Sequence, residues 1–164
     1  MPAPEGLVTL IATEFRRRLQ GEYVPRIRQC VGWLGDDLWR RPGANCNSVG
    51  NLLLHLDGNT RQWIHATFTD TGSDRDRPAE FGAVDGRSGT ALMDDLAQTV
   101  DQACAIVDGL PLDQWLRRRV IQQRFEETGL SAILHVLEHF SGHAGQIYAW
   151  TKQVTGRNLA FYDL

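Results

Sequence analysis

The sequence is poor in cysteine, and the three it has (Cys30, Cys46 and Cys104) lie far apart with no CxxC pair. An odd number spaced that way excludes a disulfide framework and suits a reducing compartment. A basic excess is also missing. The net charge is −3 and the isoelectric point near 5.9, which excludes the electrostatic footprint of a nucleic-acid binder. No apolar run approaches the length of a membrane span. The start, "MPAPEGLVTLIATEFRRRLQ", lacks the basic stretch followed by an apolar core that marks a signal peptide. Internal repeats and low-complexity tracts are absent too. These absences predict a soluble cytoplasmic protein, and 164 residues fit a single domain over 1–164.

What is present is helical spacing of apolar residues. Segment one, roughly 5–34, carries Leu7, Leu10, Ile11, Phe15 and Leu19, then Val24, Ile27, Val31 and Leu34. Gly21 and Pro25 interrupt it, so a kink or two consecutive helices are expected there. "RRPGANCNS" (40–48) reads as a loop, with Asn47 or Ser48 placed to cap segment two, about 48–69. Gly50 and Gly58 within that segment mark places where another element comes close. Residues 70–89 read as a long polar loop without structure, long enough to cross the length of a bundle. Segment three spans about 90–108, and "RRRVIQQRFEETG" is ambiguous between strand, extended loop and helical turn. Segment four starts near Thr128 or Ser131 and runs to about 155, where Gly156 suits a stop. Leu159, Phe161 and Tyr162 in the tail are expected to pack. Four long amphipathic helices without a convincing strand pattern predict an all-α four-helix bundle.

The chain has five histidines, and "HVLEHFSGH" places His135, His139 and His143 four apart on one face of segment four. Either adjacent pair can share one ion. All three cannot easily do so, since the outer two are about 12 Å apart along the axis. The small residues Ser141, Gly142, Ala144 and Gly145 around His143 favour the second pair. A catalytic site commonly needs a third protein ligand and an open position. His55, among leucines in "NLLLHLDGN", is the candidate from a facing helix; read alone, a hydrogen-bonded core histidine is the commoner reading. His65 lies ten residues on and points away from His55. Glu138 is a candidate general base or outer partner, but it lies about 100° off the His139 stripe. Asn59, one turn after His55, is a candidate to hydrogen-bond a ligand or a metal-bound water, or else a polar helix contact. Arg117, Arg118 and Arg119 read as a solvated face or an anion attractor. Cys46 reads as exposed, and Trp63, Tyr148 and Trp150 as packing residues.

"NSVGNLLLHLDGNTRQWI" (47–64) followed by "HVLEHFSGHAGQIY" (135–148) resembles the DinB/YfiT-like superfamily of metalloenzymes. "WRRPGANCNSVGNLLLHL" is similar to that superfamily's entry into helix two, and the likeness covers most of the chain. It implies an up-down-down-up four-helix bundle, with the long crossover between helices two and three. It also implies a metal triad of His55, His139 and His143, with His135 outside it. Some relatives use low-molecular-weight thiols, as bacillithiol S-transferases and a mycothiol-dependent maleylpyruvate isomerase do; others are described as metal-dependent hydrolases. The isomerase branch carries a glutamate where this chain has His139, and the nearest resemblance is to an uncharacterised branch.

The expectation is therefore a protein that binds a divalent metal, zinc or nickel, and acts on a small molecule. Thiol transfer with a low-molecular-weight thiol as co-substrate leads. Hydrolysis by a metal-bound water and a non-catalytic interaction bundle are the alternatives. A homodimer is compatible with each.

Overall fold

The computed structural model describes residues 4–161. The first column of the bundle is α1 (Pro4–Arg18), a π turn (Leu19–Tyr23) and α2 (Val24–Leu34). The π turn sits where Gly21 and Pro25 predicted a break. Pro25 has no N–H to donate, and its ring crowds the carbonyl four residues back. Widening the turn, so that Val24 donates to the Leu19 carbonyl, lets the column continue past it. Of the apolar residues expected to pack on α1, Phe15 and Leu19 are fully buried, whereas Leu7 and Leu10 are 55% and 64% exposed. Those two lie about 140–160° round the helix from buried Ala12, off the inward stripe.

The second column is α3 (Val49–Thr60), a π turn (Arg61–His65) and the short α4 (Ala66–Phe68). Ser48 caps it reciprocally. Its hydroxyl accepts from the Asn51 amide, and the Asn51 side chain accepts from the Ser48 amide. Asn51 does more than cap: its side-chain Nδ2 donates to the carbonyls of Glu80 and Ala83, at 2.9 and 2.7 Å. Gly50 lies under the Trp39 ring, which an added Cβ would overlap.

Those bonds pin down a segment read as structureless. Within 70–89 the chain forms a short helix, α5 (Arg77–Gly82). Asp76 caps it by accepting from the Ala79 amide, and Pro78 sits in its first turn. The third column is α6 (Gly89–Asp108), capped by Ser88. The short α7 (Leu112–Leu116) then leads into a hairpin of β1 (Arg118–Ile121) and β2 (Phe125–Thr128), which resolves the ambiguous "RRRVIQQRFEETG" as strands. The fourth column is α8 (Gly129–Thr155), capped by Thr128 and closed by Gly156 in the left-handed region. Leu159 is buried and Phe161 packs on Tyr148 as expected, while Tyr162 lies outside the described residues.

Named contacts fix the directions. Arg28 meets Asp94, Gln20 meets Asp101 and Arg16 meets Asp108, so the first column and α6 are antiparallel. His55 meets His139 and His143 while Trp63 meets His135, so α3 and α8 are antiparallel. Tyr23 meets Phe140 and Cys30 meets Thr151, so the first column and α8 are parallel. The bundle is up-down-down-up, as the resemblance implied. Two parallel neighbours, α3 and α6, require the long crossover that carries α5.

Glycine substitutions separate tight from open positions along α8. A Cβ on Gly129 would overlap the Gln114 carbonyl oxygen, and backbone cannot swing aside. Gly145 is exposed with nothing near the added atom. Gly129→Ala should therefore lower folding stability by about 1–3 kcal/mol. Gly145→Ala should raise it by about 0.5–1 kcal/mol through helix propensity. Urea denaturation of both variants checks the pair of signs.

Candidate metal centre

Helix period places His139 and His143 one turn apart on α8, and the antiparallel crossing brings His55 of α3 between them. His55 and His139 ring centroids are 4.8 Å apart, His55 and His143 5.1 Å, and His139 and His143 4.5 Å. One nitrogen from each of the three lies within 4.8 Å of the others. The cluster can chelate a divalent metal.

Two of the rings are oriented from behind. His55, only 4% exposed, donates from Nδ1 to Glu80 Oε2 at 2.8 Å. Arg75 Nη2 also lies 2.9 Å from this Nδ1, but its hydrogen goes to Glu80 Oε2, and an ionised carboxylate only accepts, so the ring proton sits on Nδ1 and Nε2 keeps its lone pair. The His143 Nδ1 lies 3.0 Å from Gln146 Oε1, which selects the same tautomer there. His139 has no such partner for Nε2, which is buried without a hydrogen bond among the described residues. A buried unpaired ring nitrogen costs roughly 1–3 kcal/mol. A cation between the three rings would satisfy it, so the donor set fits a metal.

Glu80 is itself held by Arg75. The guanidinium donates from Nε to Oε1 at 2.6 Å and from Nη2 to Oε2 at 2.8 Å, with the two side chains 6% and 10% exposed. Burial works to raise the Glu80 carboxyl, but the bonds from Arg75 and His55 outweigh it and hold the group below its ordinary range. Gly58 makes room for this pair: a Cβ there would overlap Glu80 Oε1. Gly58 was expected to mark a close approach, and the approaching element is α5. Glu80 and Arg75 were missed because 70–89 read as an unstructured loop. The signal was available in "SDRDRPAEF", where Asp76 precedes a proline in the manner of a helix start.

The remaining candidates fall outside the cluster. His135 stacks on Trp63 at 3.6 Å and accepts from Asn59 Nδ2 at 3.3 Å. Asn59 therefore bonds His135; its Oδ1, like Trp63 Nε1, is buried and unpartnered among the described residues. Glu138 is exposed, one residue before His139 and about 100° off its stripe. His65 bonds the Thr99 carbonyl, away from the site as expected. Arg119 lies over the Phe68 ring and bonds the Gln114 carbonyl, and Arg118 pairs with Glu126. Of the small residues beside His143, Ala144 is buried in the core, whereas nothing lies near a Cβ built on Gly142 or Gly145. Cys46 is exposed and all three cysteines are free.

A four-helix bundle with a three-histidine cluster shared between its second and fourth columns defines a DinB/YfiT-like protein. The family model for mycothiol-S-transferase matches residues 19–156, and the chain belongs to that family. No curated protein matches it. Among the described residues, no helix is long and apolar enough to cross a membrane.

Electrostatics gives the metal-free site a pH dependence. Burial, then the neighbouring His143 and His55, push His139 down to about 3. In the unfolded chain the same ring titrates near 6.5. Below that value the unfolded state takes up a proton that the native state refuses, so stability falls as the pH drops from about 6.5 towards about 3. Urea midpoints of metal-free protein across that window should fall steeply, and a His139→Leu variant should show a flatter slope.

Proposed function

We propose that the protein is a metal-dependent S-transferase that joins a low-molecular-weight thiol to an electrophilic small molecule. The observation that carries this reading is the buried three-histidine cluster with its unpartnered His139 Nε2, in a chain of the mycothiol-S-transferase family. His55, His139 and His143 would hold the ion. Three imidazole nitrogens suit zinc or nickel, and the nearest carboxylate, Glu80, is engaged by Arg75 and the rear nitrogen of His55. When bound, such an ion lowers the pKa of a ligating thiol, so that thiolate is available near neutral pH.

The protein's own groups prepare that chemistry. Glu80 and Gln146 fix which nitrogens of His55 and His143 point inward. Burial keeps the His139 and His143 rings neutral, so their lone pairs are not lost to protons. An ion held by these neutral rings would keep its full charge for a ligating sulfur. Packing of Trp63 and His135 beside His139 closes one side of the cluster against water. A reducing cytoplasm, where small thiols are abundant, fits three unpaired cysteines.

Purified protein supplied with zinc or nickel should bind close to one ion per chain, measured by elemental analysis after desalting. His143→Ala should lose the ion and reduce turnover by at least about 100-fold, in line with loss of an essential activating group. Conjugation of a model electrophile such as chlorodinitrobenzene should require an added thiol. Turnover that proceeds equally without thiol would replace transfer by hydrolysis.

A further inference from the structure

The side chains behind His55 do not end at Arg75. Arg75 Nη1 donates to Gln62 Oε1 at 2.9 Å, and the same oxygen accepts from Gln122 Nε2 at 2.7 Å. Gln62 lies in the π turn between α3 and α4, Arg75 in the crossover and Gln122 at the tip of the β1–β2 hairpin. Segments remote in sequence thus meet on one amide oxygen, whose two lone pairs are both used. From there the bonds run through Arg75 and Glu80 to His55 Nδ1.

The hairpin tip has an unusual backbone for its residues. Gln122 and Gln123 have φ of 56° and 55°, a region that glycine or asparagine occupies at lower cost. Propensity does not explain a glutamine at position 122, but its side-chain bond to Gln62 does. At the other end, the planar Arg75 fork is fixed by its bonds to Glu80 and by Gln62. Removing Gln62 would leave Nη1 of this largely buried guanidinium unpaired and free the fork to rotate. The carboxylate oxygen facing His55 would move with it.

We propose that Gln62 is a positioning residue for the metal centre, and that the β1–β2 hairpin acts on His55 through the Gln122–Gln62–Arg75–Glu80 chain. The proposal rests on the metal reading above. It differs from a purely structural role, in which Gln62 only fastens the hairpin to the bundle. In that case its loss would change stability and leave the donor set untouched.

The test compares Gln62→Leu, Gln62→Glu and Gln122→Gly with the parent chain, measuring zinc affinity by chelator competition and thermal midpoints without metal. Gln62→Leu should weaken zinc roughly tenfold, the low end of what loss of an outer partner does. Gln62→Glu supplies an oxygen that accepts both bonds, and it should restore affinity to within about twofold of the parent. Gln122→Gly relieves the turn but breaks the chain, so affinity should fall while the thermal midpoint does not. In metal-free protein, the His55 Nδ1 proton should give a downfield NMR signal, protected from exchange. Gln62→Leu should broaden that signal and Gln62→Glu should keep it. If the parent binds zinc and Gln62→Leu matches it in both affinity and NMR signal, the relay is overturned and the metal reading stands. If the parent binds zinc and nickel no better than His143→Ala, the metal reading fails and the proposal fails with it.

Discussion

A single buried carboxylate, that of Glu80, ties the crossover to the bundle and the bundle to its candidate metal centre. Taking a carboxylate out of water is costly unless charge and hydrogen bonds compensate. Here the compensation comes from both sides: a two-pronged Arg75 within the crossover and His55 from α3. That requirement propagates outward. Gly58 must lack a Cβ so that α5 can lie against α3. Asn51 must turn its amide towards the α5 carbonyls rather than to solvent. The same bond that satisfies Glu80 sets the tautomer of His55. Docking of the crossover and orientation of a metal-facing nitrogen are therefore one event, not two.

The histidine stripe on α8 shows how packing distinguishes residues that spacing treats alike. His135, His139 and His143 share one face, yet only the latter two meet His55. Antiparallel crossing places His55 level with residues 139–143, and the next turns of the second column bring Asn59 and Trp63 level with His135. An indole face at van der Waals distance leaves no room for an ion on that side of His135. The π turn at Arg61–His65 contributes to this separation. It rotates the residues after Thr60 relative to an ideal helix, so that Trp63 faces α8 while His65 faces the Thr99 carbonyl on α6.

Much of the architecture was legible because it depends on local rules. Ser48, Thr128 and Gly156 act as caps where side-chain chemistry places them, and the break at Gly21–Pro25 falls where a proline must disrupt the ladder. His55, His139 and His143 were singled out from helix period and neighbours, and the structure brings them together. What stayed hidden is non-local. Glu80 and Arg75 lie in a polar stretch whose composition resembles solvent-exposed loop, and only the fold shows that they are buried against Gly58. Leu7 and Leu10 misled in the opposite direction. Leu7 is linked to Phe15 by two steps of four residues, yet it lies about 80° round the helix from it and Leu10 about 140°, so counting apolar residues overstated the buried face of α1. The small residues near His143 likewise suggested a close neighbour; Ala144 packs in the core, but among the described residues nothing approaches Gly142 or Gly145.

That last difference bears on what a ligand bound at this cluster would do. Gly142 and Gly145 each weaken a helix by about 1 kcal/mol relative to alanine, and no packing demand explains either. The same turns carry His139, whose Nε2 is buried and unpaired, and His143, whose burial disfavours its charged form. Weak local propensity and an unsatisfied polar atom therefore coincide on one stretch of α8, opposite a His55 already fixed by Glu80. One wall of the cluster is held by the α5 crossover, and the other carries the unpaired nitrogen. A cation bridging the two walls would satisfy the free nitrogen and join α8 to α3. Binding energy at such a site would appear as folding energy and would couple occupancy of the centre to stability of the bundle.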